Sequence, residues 1–255
     1  MLAAVHGFSD DSVLPPLAVK YCSACHLPPG PDSITRKYWP KIFGFMETWT
    51  VERGLPLDKA EFAELLDYYV ANSPEAFEPV PDELEESLLM FEKGDVGVAC
   101  TSDRPKITNV NITDLDGNGK SDVLICDAVA GRVSWLVIED GTWKETFLAE
   151  VVTPVKATVV DYNRDGQNDI VVASLGDISP TDDPIGSVSL LINRGDMTFE
   201  SMLLIGGVAR VADVKSGDFN GDGKTDFIVA QFGWRKTGGL LWLEQVTPKL
   251  FLQHE

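Results

Sequence analysis

Two kinds of residue cluster in this chain carry chemistry. The first is YCSACH, Tyr21 to His26, where two thiols and an imidazole crowd into five residues. On a helix Cys22 and Cys25 stand at i and i+3, and His26 stands at i+4 from Cys22, so the spacing predicts one shared face. Two thiols so placed can bond a porphyrin edge while the imidazole reaches the iron, and this is the attachment spacing of a c-type haem. A redox CxxC is expected beside a βαβ pattern, whereas this stretch is flanked by helical periodicity. A zinc site needs more Cys or His ligands, and the other histidines are His6 and His254.

The second cluster recurs three times. DLDGNGKSD runs from Asp114 to Asp122, DYNRDGQND from Asp161 to Asp169 and DFNGDGKTD from Asp218 to Asp226. Each offers oxygen side chains at positions one, three, five and nine. These are Asp114, Asp116, Asn118 and Asp122, then Asp161, Asn163, Asp165 and Asp169, then Asp218, Asn220, Asp222 and Asp226. Hard oxygens at this spacing, with a backbone carbonyl at position seven, can wrap a calcium ion, so three Ca²⁺ are expected. Gly119, Gly166 and Gly223 permit the bend. An EF-hand is excluded because position twelve, which needs a bidentate Glu, is Ile125, Val172 or Val229. Solvated turns that merely favour Asp and Asn are the plainer alternative, but one such loop would be ambiguous and three are not.

The elements that must position these clusters follow two patterns. Up to about residue 78 the periodicity is helical. Pro15 and Pro16 suit the first turn of a helix entering YCSACH. Trp39, Ile42, Met46 and Trp49 form one stripe of a second helix. In a third, Asp58 and Glu61 make a capping-box-like pair, Leu57 can staple to Phe62, and Phe62, Leu65, Leu66, Tyr69 and Val70 form the apolar face. Residues 79–87, rich in Pro and Glu, read as a linker. From residue 88 onward short Val/Ile/Leu runs alternate with Gly, Asp and Asn turns, about four strands to each Asp loop, which is the content of a propeller blade. The loops lie 47 and 57 residues apart, a blade-sized period. The expected fold is therefore multidomain: a small all-α domain at 1–78, then about three all-β blades at 88–255.

The first domain resembles the small class I c-type cytochromes over about residues 13–73, through its helix into the haem motif and its last amphipathic helix with Tyr68 and Tyr69. WPKIFGFM resembles the Trp-then-Met stretch of many of them, which implies Met46 as second axial ligand beside His26; His6 is the competitor. Met/His ligation implies electron transfer, one electron at a time, with no open iron position. The loops resemble FG-GAP/VCBS-type repeats over about residues 105–253, known from integrin alpha-subunit propellers and bacterial secreted proteins, where the Asp loop joins two strands of a blade and binds calcium. Together these imply an electron carrier rather than a catalyst: a monohaem head on a calcium-binding propeller. Its expected partners are a redox protein or small-molecule electron donor, and a protein or extracellular polymer at the propeller. Two alternatives stay open, a quinoprotein-like propeller dehydrogenase that reduces its own haem, and a secreted adhesion or carbohydrate-binding propeller.

Bulk properties agree. Of the 255 residues, 44% are hydrophobic, and 21 Lys and Arg stand against 40 Asp and Glu, a formal net charge of −19. Such a chain repels nucleic acid and favours cations. No apolar run suits a transmembrane span. Haem attachment and calcium both point to a periplasmic or extracellular protein, yet MLAAVHGFSDD is no signal peptide. The expectation is an N-terminus that lacks its leader, and a propeller that is either a fragment or closed by self-association, because three blades leave two faces open. Cys100 and Cys126, both in strand-like surroundings, could be free thiols or a disulfide.

Overall fold

The computed structural model describes residues 14–23, 26–79, 90, 92–94, 96–97, 105–234 and 236–255. They fall in two compact units, Met1–Phe91 and Glu92–Glu255. The division lies a few residues beyond the expected linker. Residues 80–89, His6, Cys25 and Cys100 lie outside the described residues. Among the described residues no helix is long and apolar enough to cross a membrane.

Among the described residues the first unit has three helices, α1 (Pro16–Cys22), α2 (Trp39–Glu52) and α3 (Lys59–Asn72), with 3-10 turns at Pro31–Ser33 and Arg36–Tyr38. Pro15 and Pro16 open α1 as expected. The helix ends at Cys22, however, and Ser23 caps it, so His26 lies beyond the helix rather than on it. A hydrogen bond from the His26 N–H to the Cys22 carbonyl (3.1 Å) continues the helical spacing by one turn. The core is aromatic: Trp39 and Phe43 of α2 and Phe62, Leu65 and Tyr69 of α3 close on Ala18 and Cys22 of α1. The face of α3 is the one its periodicity predicts. The stripe of α2 is not. Trp39 and Phe43 are its buried residues, Met46 packs against the cluster, and Ile42 is 37% exposed.

The N-cap of α3 also differs from a simple capping box. Asp58 accepts from the Ala60 and Glu61 N–H groups (2.9 and 3.1 Å), as a cap should. Glu61 does not reach back. It accepts from Lys20 Nζ and Tyr21 Oη on α1, and the Tyr21 hydroxyl accepts from the Asp58 N–H (3.3 Å). A side chain from another helix thus takes over half of the box and joins α1 to the start of α3.

The second unit is three antiparallel four-stranded sheets, each a simple meander. The first holds β1 (Ile107–Thr113), β2 (Asp122–Asp127), β3 (Arg132–Glu139) and β4 (Thr142–Glu150). The second holds β5 (Pro154–Val160), β6 (Asp169–Ser174), β7 (Gly186–Asn193) and β8 (Phe199–Val208). The third holds β9 (Arg210–Gly217), β10 (Asp226–Phe232), β11 (Gly238–Thr247) and β12 (Leu250–His254). All twelve strands fall where alternation and turn residues predict them. β5 packs against β1, β2 and β3, and β9 against β5, β6 and β7, so the sheets stack face to face through their first strands. Two cores result. One lies between the first and second sheets (Leu124, Cys126, Val133 with Ala157, Ile170, Val172). The other lies between the second and third (Val171, Val188, Leu190 with Val214, Phe227, Leu243). Leu241 and Leu243 are core, as their run suggests, but Trp242 points from the opposite face, as alternation requires.

Candidate functional site: three Asp loops and a Cys–His helix end

Each Asp loop joins the first and second strands of its sheet, and the ninth residue of the loop is the first of the second strand. The three loops share one backbone design. Position six is glycine at φ 83°, 83° and 84° in Gly119, Gly166 and Gly223. Position four is also left-handed, in Gly117, Arg164 (φ 59°) and Gly221, so a side chain is carried there once against its steric preference.

Position one folds the loop by accepting the N–H of position six: Asp114 from Gly119 (2.8 Å), Asp161 from Gly166 (3.0 Å) and Asp218 from Gly223 (2.9 Å). Position nine is buried in all three and accepts the N–H of position two: Asp122 from Leu115, Asp169 from Tyr162 and Asp226 from Phe219. Asp169 and Asp226 use their second oxygen on the third strand of the same sheet, accepting from Asn193 (2.9 Å) and Gln245 (2.8 Å). The ninth residue therefore anchors the loop to the sheet. Burial, with Asp165 and Asp161 close by, pushes the Asp169 carboxyl up to about 6. Asp222 is held below the usual range by Lys224, which bonds it through both Nζ and N–H.

Asp114, Asp116 and Asp122 bring carboxylate oxygens within 4.8 Å of one another, and among the described residues this is the one such gathering of three or more. Asp114 Oδ1 is buried there without a hydrogen-bond partner. An orphaned carboxylate oxygen inside an all-oxygen donor set fits a hard cation such as Ca²⁺. Further side chains complete the framework. Asn168 donates to the carbonyls of Asp114 and Leu115 (3.0 and 3.2 Å), tying the second loop to the first. Gln245 accepts from the Thr225 N–H (3.1 Å). Asn168 stands inside the repeat at position eight, but no local pattern assigns it a partner in another sheet.

In the helical unit Cys22 is buried in the aromatic cluster. His26 is exposed, and its Nδ1 lies 2.8 Å from the Leu27 carbonyl. Nδ1 therefore donates, which leaves the Nε2 lone pair for a metal and fixes the ring as ligand histidines usually are. Pro29 and Pro31, just beyond, are held by Tyr69 Oη (2.7 Å) and Trp39 Nε1 (3.3 Å) donating to their carbonyls. Met46 is half-buried against the cluster that contains Cys22. Cys22 and Met46 share one small core, and His26, exposed beside it in sequence, keeps Nε2 available; thiol, imidazole and thioether are the residue types that a c-type haem would require. A cleft of about 390 Å³ on this unit is lined by Lys20, Tyr21, Leu55 and Leu57, and includes neither His26 nor Met46. In the strand-rich unit Cys126 is a free thiol, buried and pushed up to about 12, hence inert.

Comparison with known families agrees with the strand-rich unit. Residues 114–172 and 161–229 match the model of the FG-GAP-like repeat. Each match begins at the first Asp of one loop and ends on the second strand of the next sheet. The unit thus carries FG-GAP-like repeats, in a propeller-like arrangement consistent with a binding role. No curated protein matches the chain.

Proposed function

We propose that this chain is an exported binding and electron-transfer protein, a c-type cytochrome domain on a calcium-stabilised, propeller-like domain of FG-GAP-like repeats. The observation that carries the binding half is the repetition of one loop on three sheets, with the Asp114, Asp116 and Asp122 oxygens converging on an unpartnered Oδ1. In each loop positions one, three and five face a cation, with Asn118, Asn163 and Asn220 supplying neutral oxygen, while position nine contributes charge and holds the loop to its sheet. FG-GAP-like repeats are typical of extracellular proteins, and millimolar calcium is found there, which supports export. The sheets would hold a protein or an extracellular polymer.

The electron-transfer half rests on Cys22, Cys25 and His26. Haem, when bound, supplies one-electron redox chemistry. Cys22 and Cys25 would hold it covalently, His26 through Nε2 and Met46 through its sulfur would face the iron, and the Leu27 carbonyl keeps the imidazole proton on Nδ1. A second reading, a secreted adhesion module, is favoured by the family match covering only the sheets. One experiment separates them. Purified from a haem-maturing periplasm and run on a denaturing gel, the chain should carry haem stain, and Cys22→Ala with Cys25→Ala should abolish it. A wild-type band without stain removes the electron-transfer half and leaves the adhesion module.

A further inference from the structure

Among the described residues the three sheets build one interface twice, and the same repetition leaves two faces of interface type exposed. The middle sheet shows what such faces look like when covered. Ala157, Ile170 and Val172, each 0% exposed, pack on the first sheet, and Val171, Ala173 and Leu190, also 0% exposed, pack on the third. Counting from the first Asp of each loop, the residues matching Ala157, Ile170 and Val172 on the outward face of the first sheet are Val110, Val123 and Ile125. Val110 is 58% exposed and its neighbour Ile112 63%. Towards β3 and β4 this face is already overlaid at Leu136 and Glu145 by the backbone at Gly97, so its open part is β1 and β2. On the outward face of the third sheet the matches to Val171 and Ala173 are Ile228 and Ala230, and Trp242, which pairs with Ile228 as Leu190 pairs with Val171, takes the place of Leu190. Beside them Leu240 is 66% exposed, and Trp242 Nε1 has no hydrogen-bond partner.

Polar groups follow the same repetition. From the first sheet, Asn109 Oδ1 accepts the Ala157 N–H (3.1 Å) and Asn111 Nδ2 donates to the Ala157 carbonyl (3.3 Å), clasping one residue of β5. At the same two positions the third sheet carries Asp213, an acceptor, and Lys215, a donor. Their cross-strand partners Ala230 and Ile228 place both on the outward face. Here they meet each other, at 3.6 Å, and Asp213 also accepts the N–H of its chain neighbour Val214 (2.9 Å). The residue that a clasp at these positions would hold is the counterpart of Ala157, which is Val110 of a first sheet.

We propose that a second copy of this chain covers both faces, the third sheet of each copy packing on the first sheet of the other, so that two chains close one ring of six sheets. The occupant of the third sheet's face must present an apolar inner strand with a free backbone edge at the Val110 position, and this chain carries that surface itself. A contact between two different faces closes only if its rotation fits, and six sheets lie within the usual range of about four to eight. The two copies bury Leu240 and Val110 together and give Asp213 and Lys215 a backbone to clasp.

Sedimentation equilibrium of the full chain tests this. The expected mass is twice the 27.9 kDa of one chain throughout the micromolar range. Leu240→Asp and Val110→Asp each alter an exposed residue, so each should stay folded by circular dichroism and fall to half the mass. Mixing a Val110→Cys chain with an Asp213→Cys chain under mild oxidation should cross-link them, while neither alone gains a band over wild type. A monomer at all concentrations, masses that keep growing with concentration, or a dimer indifferent to both Asp substitutions would each overturn the proposal.

Discussion

Asp169 shows how a single carboxylate can serve structure and site at once. Its neutral form is favoured by burial, and its pKa rises to about 6 from an ordinary 3.8. A raised carboxyl costs the fold stability when ionised, so the cost is complete above about pH 6 and disappears as pH falls towards 3.8. In chelator the melting temperature should therefore rise between pH 7 and about 5, and Asp169→Asn should flatten that rise. With calcium present the trend should reverse, because protons then compete with the ion for the loop. Met46 poses the other question at this scale. As a half-buried packing residue, its loss to Ala costs about 1–2 kcal/mol and nothing more. As an iron ligand, its loss also lowers the reduction potential and lets the ferrous protein bind carbon monoxide, and a visible spectrum under that gas decides between them.

Loops and strand ends depend on partners from neighbouring elements. Asp182, between β6 and β7, offers one oxygen to the N–H groups of Trp234, Lys236 and Thr237 (2.9–3.2 Å) and to the Thr237 hydroxyl (3.1 Å). It thereby holds the β10–β11 turn of the next sheet. Nearby, Arg210 donates to the Ser179 carbonyl and lies over Phe232. Asp182→Ala should cost about 1–2 kcal/mol in denaturant unfolding, because the N–H groups it leaves are near enough to solvent to be hydrated. Amide exchange should quicken at Trp234 and Thr237 before it does in the strands. Tyr21 does similar work in the helical unit, where a hydroxyl from α1 completes the cap of α3.

For the whole molecule, electrostatics sets the balance. A net charge of −19, with three carboxylates in each of the three loops, opposes compaction. An ion bound only by the folded chain offsets this by mass action, about 2.7 kcal/mol for a site at a hundred times its dissociation constant. Removing calcium with a chelator should lower the melting temperature, and restoring it should recover the loss. An equal concentration of sodium chloride should recover much less, because screening acts on distant charges and leaves the loop oxygens uncoordinated.

Local rules made much of this protein legible. Strand alternation, Gly and Asp turns and a repeated loop are decided within a few residues, so all twelve strands, the face of α3 and the loop design could be read from the chain. What the tertiary structure decided were choices between locally equivalent options. Helix α2 has two apolar stripes, Trp39–Phe43–Met46 and Ile42–Phe45–Trp49, and periodicity cannot rank them; the packing of Tyr69 and Phe62 selects the first. Glu61 could cap its own helix or meet Lys20 and Tyr21, and only the approach of α1 settles it. Asp169 and Asp226 could face a cation with both oxygens, but the N–H groups of Asn193 and Gln245 claim one, and those strands lie roughly twenty residues away in sequence. A hydrogen bond's partner, unlike a helix or a turn, is set by which distant backbone arrives beside it, and that is a property of the packed sheets.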